Sequence, residues 1–189
     1  NMRRGWILFM KRWILFSFLV LLGSPQHTTA AELSLKDYPN AIANLSEDQR
    51  AKIDQVEFLK IDSYTRPWRE TKVDLEEGQY FTVLADGAVD IWPGHGFIFG
   101  PEWVLMMRSG NEGEVSALGR KANTFRATSD GKLRLCIRDG TITPEGKLAT
   151  PREWYDDNKG KFEVCIIKWK SKSGSEVVEA LGQLYASLP

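Results

Sequence analysis

Three oxygen-bearing side chains stand at the ends of one polar loop, Asp139 at its start and Asp157 with Asn158 at its end. Apolar residues alternate in the flanking segments 133–137 and 162–167, as they do in β-strands. If these strands pair as an antiparallel ladder, the three side chains converge beside loop carbonyls. Such oxygens are the ligands of Ca²⁺, which takes roughly six to eight of them. The pattern therefore predicts a calcium site, although Asp-Asn-Lys-Gly is also an ordinary turn sequence.

The two apolar patterns also suggest how that ladder is aligned. With Ile137 opposite Val164, one side of the ladder is apolar throughout, and Cys136 lies opposite Cys165. A slip of one residue would mix the two faces. We therefore predict this register and a disulfide between Cys136 and Cys165, with two buried thiols as the alternative.

Strand signals recur after turns from residue 56 onward. Glycine, proline and Asn/Asp clusters separate short segments rich in β-branched and aromatic residues, and this spacing is typical of an antiparallel sandwich or barrel. The predicted strands are 56–61, 71–75, 79–85, 88–92, 104–108, 124–127, 132–137 and 162–168.

Residues 1–30 have the pattern of a signal peptide, with basic residues, an apolar run at 13–22 and small residues before position 31. A membrane span is the alternative, but the run is about half the roughly 20 residues that a span needs. We therefore predict an exported protein, periplasmic or secreted, that meets the membrane only through this segment. Without those residues, the chain has 21 basic and 25 acidic side chains. A charge of −4 with no basic face argues against nucleic acid as a partner.

Helical segments flank the strand-rich region 56–170. Residues 31–55 form a predicted helical leader in which Ser46 caps a helix and Gln49 completes a capping box. Residues 171–189 form a predicted C-terminal helix capped by Ser175. Its apolar stripe either packs on the domain or contacts a partner. The stripe consists of Val177, Leu181, Leu184 and Leu188.

No enzyme signature occurs in the sequence. A serine-nucleophile elbow and a phosphate-binding loop are absent, and the two histidines, His27 and His95, are far apart in the chain. We therefore predict that the protein is not an enzyme. A hydrolase that uses only carboxylates stays open, although no particular acid pair is indicated.

Asp139 followed by residues 157–166 resembles the C-terminal part of the bacterial PA-I-like galactose-binding lectin domain family. Residues 77–87, 100–102, 117–120 and 130–135 follow in the family's order, so that the resemblance covers residues 56–168. It implies an all-β fold, a jelly-roll-like antiparallel β-sandwich of the galactose-binding-domain type, here with short N- and C-terminal helices. It also implies calcium as the cofactor and a galactoside or related carbohydrate as the partner.

The resemblance assigns calcium ligands by motif. The side chains of Asp139, Asp157 and Asn158 would bind the ion, together with a carbonyl near Ile91 or Trp92 and another near Trp154. Vicinal hydroxyls of a sugar would complete the calcium shell, and aromatic rings would stack on the sugar. The residues implied for sugar binding are Asp139, Asp157, Trp92, Trp154, Tyr155 and His95.

This sequence departs from the family pattern in two places. The loop between Asp139 and Asp157 is longer, and His95 alone corresponds to the His and Gln of the family's second sugar-contact loop. We therefore expect an exported, calcium-dependent carbohydrate-binding module of galactoside type. The alternative is a structural or interaction β-sandwich domain of a cell-envelope protein that binds no sugar, with or without calcium.

Overall fold

Two antiparallel β-sheets make up most of the structure, a computed structural model that describes residues 35–65, 68–143, 145–147 and 149–187. The predicted signal peptide at 1–30 lies outside these residues. In the described ranges, no helix is both long and apolar enough to cross a membrane.

The nine strands found in the described part of the chain form one sheet of five and one of four. They are β1 (Ile53–Asp62), β2 (Arg69–Leu75), β3 (Tyr80–Asp90), β4 (Ile98–Phe99), β5 (Leu105–Ser109), β6 (Ser116–Ala117), β7 (Ala122–Arg126), β8 (Gly131–Ile137) and β9 (Lys159–Trp169). The first sheet has the order β1-β9-β3-β4, with β7 also paired to β3. The second has the order β2-β8-β5-β6.

The main core lies between the two sheets. Alternate residues of β8 and β9 face it, among them Leu135 and Ile137 from one sheet and Val164 and Ile166 from the other. Burying these side chains supplies the main driving force for packing the sheets face to face. The fold is therefore the antiparallel β-sandwich that the sequence predicted.

Short helices cover the outer face of the first sheet. They are α1 (Tyr38–Ala43) and α2 (Glu47–Ala51), while α3 (Pro101–Val104) connects β4 to β5 and α4 (Gly174–Ala186) follows β9. The capping box predicted for Ser46 and Gln49 is confirmed at the start of α2. The residue before α4 is Ser173, and its side chain makes no capping hydrogen bond, so the predicted cap at Ser175 is wrong.

The apolar stripe of α4 packs on the domain. Val177 and Leu184 are buried in a second core with Cys165 and Trp169 of β9 and with Tyr38 of α1. For the described part of the stripe, packing on the domain is therefore the alternative that the structure supports, rather than contact with a partner.

The predicted ladder between β8 and β9 is wrong. β8 pairs with β2 and β5, and β9 pairs with β1 and β3 in the other sheet. Cys136 lies opposite Met106 of β5, whereas Cys165 belongs to the outer cluster under the helices. Because the two cysteines are in different sheets and on faces turned away from the core, the predicted disulfide is also wrong. Both thiols are free and buried.

One predicted turn is part of a strand. The sequence suggested strands on either side of residues 86–87, but β3 continues through Gly87 with a φ of +110°. A Cβ at this position would lie 2.6 Å from the Lys161 carbonyl oxygen of β9. Glycine therefore permits a close backbone approach inside the ladder and does not end the strand.

Candidate functional site

The candidate residues gather where β1, β3 and β8 end and β9 begins. The register of β9 places Lys159 opposite Asp90 and Lys161 opposite Asp62, so the ends of β3 and β1 lie beside its start. Asp157 and Asn158 immediately precede β9 and Trp92 lies two residues after β3. Asp157 and Asn158 thus lie beside the ends of β3 and β1, and the hairpin between β8 and β9 from which the sequence predicted convergence with Asp139 is absent from the described strands.

Asn158 is fixed in this region by its neighbour Ser63. The side chain is 8% exposed, and its Nδ2 donates to the Ser63 carbonyl at 3.3 Å. The Ser63 N–H in turn donates to the Gly160 carbonyl at 3.1 Å. Because a carbonyl only accepts, this contact decides which end of the amide is nitrogen.

The remaining amide oxygen of Asn158 is buried. Oδ1 has no hydrogen-bond partner among the residues that the structure describes. Leaving a buried acceptor without a donor costs about 1–3 kcal/mol. A cation beside Oδ1 would remove that cost, and amide oxygens are among the ligands that Ca²⁺ takes.

Asp139 is held through its backbone by two side chains of the following loop. Its N–H donates to the Tyr155 phenolic oxygen at 3.2 Å, and its carbonyl accepts from Thr150 Oγ1 at 2.8 Å. The residue is 6% exposed. These contacts position the Asp139 backbone without using its carboxylate in either bond.

Tyr155 has a different role from the one implied by the resemblance. It ends the 3₁₀ helix Arg152–Tyr155, its side chain is fully buried, and burial raises the pKa of its phenol. The ring therefore has no exposed face on which a sugar could stack. Its backbone carbonyl accepts from the Asn158 N–H at 3.4 Å, so Tyr155 links Asp139 to Asn158.

Trp92 lies in a turn that is held by hydrogen bonds and ring contacts among its own residues. Its N–H donates to Asp90 Oδ1 at 3.1 Å, and its carbonyl accepts from the His95 N–H at 3.1 Å. The His95 ring stacks on Trp92 with centroids 4.1 Å apart, and Phe97 lies 5.2 Å away. The exposed His95 ring thus covers a face of Trp92.

Asp157 and Trp154 complete the predicted ligand set. Asp157 is exposed, and Trp154 is partly exposed in the 3₁₀ helix, where its N–H donates to the Pro151 carbonyl at 3.2 Å. Within the described ranges, no three His, Cys, Asp or Glu side chains lie close enough together to hold a metal ion. The predicted ligands are two carboxylates, one amide and backbone carbonyls, so the predicted calcium site would not require such a group.

The loop that separates Asp139 from Asn158 is itself ordered by contacts that the sequence did not reveal. Trp68 Nε1 donates to the Gly146 carbonyl at 2.6 Å, and Arg108 Nη1 donates to the Glu145 carbonyl at 3.1 Å. The Arg108 guanidinium lies 4.8 Å from the centroid of the Trp68 ring. Because both acceptors are backbone carbonyls, no motif in the sequence could have indicated them.

Neither a family model nor a curated protein matches this chain. Several solved structures are similar to parts of it, among them a lectin domain and a lysozyme inhibitor. The N-terminal domain of EclA, a PllA-like lectin, is 21% identical over 62% of this chain and 98% of its own, with a TM-score of 0.49. PliG of Salmonella Typhimurium, a periplasmic inhibitor of g-type lysozyme, is 16% identical over 61% and 86%, with a TM-score of 0.25. At these values neither likeness identifies a function for this chain.

Proposed function

We propose that this chain is an exported, calcium-dependent carbohydrate-binding module of galactoside type. The observation that supports the calcium site most strongly is the buried Asn158 oxygen, which its Ser63 contact orients and which has no described donor. It lies directly before β9, beside Asp157 and next to the end of β3. Export rests on the signal-peptide pattern of residues 1–30.

The donors present fit calcium better than a softer metal. The proposed ligands are two carboxylates, one amide oxygen and two carbonyls, all of them hard oxygens of the kind that Ca²⁺ prefers. They come from Asp139, Asp157, Asn158, Trp92 and Trp154. Two carboxylates would balance the charge of a divalent ion, and the bound ion would supply a centre that orients sugar hydroxyls.

Sugar recognition would use the rim of the same site. The Trp92–His95 stack has an exposed imidazole, and Trp154 is partly exposed. Aromatic faces bind the apolar side of a sugar ring, while the hydroxyls of the sugar meet polar groups. One shallow site buries little area, so we expect a single sugar unit to bind weakly.

The competing proposal is a structural or interaction domain that binds no sugar. One observation favours it: the Asp139 backbone is already fixed by Tyr155 and Thr150, so this part of the site does not need an ion to hold its shape. This alternative allows calcium to stabilise the protein but expects no response to saccharides.

A glycan array probed in calcium and again in chelator distinguishes the two functions. We expect retention of galactosides in calcium only, and loss of that retention in Asp157→Ala because the variant removes one of two ligating carboxylates. Asp48→Ala, which removes an exposed carboxylate from α2, should bind like the wild type. If the array retains no saccharide in calcium, the carbohydrate-binding proposal fails and the structural one replaces it.

A further inference from the structure

Large exposed apolar side chains are concentrated near the candidate site. In the described ranges there are six of them, and three lie at this end of the sandwich: Tyr64, Ile98 and Trp103. Ile98 of β4 lies opposite Asp90, which is two residues before Trp92. Exposed apolar groups that cluster at the rim of a polar site are typical of ligand binding.

Tyr64 adjoins the site through Ser63. It lies in a turn closed by the Thr65 N–H, which donates to the Asp62 carbonyl at 2.8 Å, and it is 61% exposed. Its amide nitrogen is bonded to the same Ser63 carbonyl group that accepts from Asn158 at 3.3 Å. Covalent geometry therefore keeps the Tyr64 Cα within roughly 8 Å of Asn158 Oδ1, about the reach of a tyrosine side chain plus one contact.

Trp103 adjoins the site from the other sheet. Its carbonyl accepts from Arg138 Nη2 at 2.9 Å, and the next carbonyl, that of Val104, accepts from the Arg138 N–H at 2.8 Å. Arg138 directly precedes Asp139 in the sequence. The Trp103 side chain is 63% exposed. The backbones of the two exposed aromatics thus lie near Asn158 in the case of Tyr64 and beside Arg138, next to Asp139, in the case of Trp103.

From this arrangement we infer that Tyr64 and Trp103 form two subsites that bind the neighbouring units of an oligosaccharide whose central unit contacts the ion. The inference rests on the proposed function. Tyrosine and tryptophan combine an apolar face with a polar edge, which suits the two faces of a pyranose. Three separate side chains present far less area than a stable protein–protein interface, which buries about 800 Å² on each partner. This favours a saccharide as the occupant.

Titration calorimetry in calcium with two probes, galactose and linear β-1,4-linked galactotetraose, tests the inference. In the wild type we expect the tetraose to bind at least about tenfold more tightly than galactose, since each stacked unit adds contacts. Tyr64→Ala and Trp103→Ala should each weaken tetraose binding by about fivefold and leave galactose binding unchanged. The matched control is Phe58→Ala, which removes another exposed aromatic from β1 and should change neither affinity.

The two probes separate failure of the subsites from failure of the proposed function. If galactose binds in calcium but both variants bind the tetraose like the wild type, the subsites are refuted and the proposed function stands. If neither sugar binds the folded wild type in calcium, the proposed function fails and the subsites fail with it. Thermal denaturation of each variant shows whether a loss of affinity is caused by unfolding. If an alanine variant is unfolded, Tyr64→Leu or Trp103→Leu replaces it.

Discussion

The Asn158 side chain is held at one end and unsatisfied at the other. Its nitrogen is bonded to the Ser63 carbonyl, and its oxygen is buried without a described donor. A leucine of similar size would avoid the cost of the buried oxygen, but it would also leave the Ser63 carbonyl without the amide donor. In the proposed ion site, the contact of the nitrogen with Ser63 would orient the oxygen toward the ion.

Cys136 and Cys165 should behave as two inaccessible thiols. Both are fully buried, and burial raises the pKa of each thiol, to about 12 for Cys165. The folded state therefore favours the neutral thiol. The stabilisation from these groups is complete below the unfolded pKa of about 8.5 and is lost as the pH rises toward the folded values.

The measurement for the thiols is mass spectrometry after alkylation at pH 8 without reductant. We expect no modification of the native protein and two alkyl groups after denaturation. An unmodified mass after denaturation would instead indicate the disulfide that the structure excludes.

At the scale of elements, the loop between β8 and β9 is held against the second sheet by Trp68 and Arg108. The loop also contains its own short ladder, in which the Ala149 N–H donates to the Thr141 carbonyl and the Thr143 N–H donates to the Lys147 carbonyl. These contacts fix a long connection whose two ends supply Asp139 and Asn158. The geometry of the proposed site therefore depends on side chains outside it.

Gly146→Ala should weaken this attachment. Gly146 has a φ of +75°, and a Cβ there would lie 2.4 Å from Arg108 Nη1, which is held by its contacts to Glu145 and Trp68. We expect the free energy of unfolding to fall by about 2–3 kcal/mol, from backbone strain and displacement of the guanidinium. Urea denaturation of the wild type and the variant measures this loss in the free energy of unfolding.

Gly94→Ala is the matched control for that change. Gly94 has a similar φ of +85°, but a Cβ there would meet no atom within 4 Å. Gly94→Ala should therefore lower the free energy of unfolding only by the backbone strain, about 1–2 kcal/mol. Equal losses in the two variants would show that the contact between the loop and Arg108 contributes nothing to stability.

At the scale of the whole molecule, alternation of apolar residues predicted the sandwich but not the neighbours of each strand. Leu135 and Ile137 do belong to the same core as Val164 and Ile166. They meet face to face across the core, whereas the sequence suggested that they pair side by side. A period of two specifies which face of a strand is buried, and every inner face of a sandwich has the same pattern. The alternation of apolar residues therefore could not show that β8 and β9 belong to different sheets.

The site was partly predictable for a related reason. Asp139, Asp157 and Asn158 are polar residues at strand ends, and strand ends gather at the edges of a sandwich whichever strands pair. Among the supporting residues, Trp68 and Arg108 donate to backbone carbonyls that are remote in sequence, and the Ser63 carbonyl accepts from the remote Asn158 amide. The sequence does not encode such contacts as a spacing, and the burial of Tyr155 depends equally on the tertiary packing of the loop.

Thermal denaturation of the protein in calcium and in chelator tests the proposed ion site most directly. The variants are Asn158→Leu and Asn123→Leu; the Asn123 amide contacts the Leu118 carbonyl and the Thr124 N–H, away from the site. We expect calcium at 100 times its Kd to stabilise the wild type and Asn123→Leu by about 2.7 kcal/mol, because the ion binds only the folded state. Asn158→Leu should show no such gain. A rise in melting temperature that is equal in all three proteins, or absent from the wild type, would contradict the site.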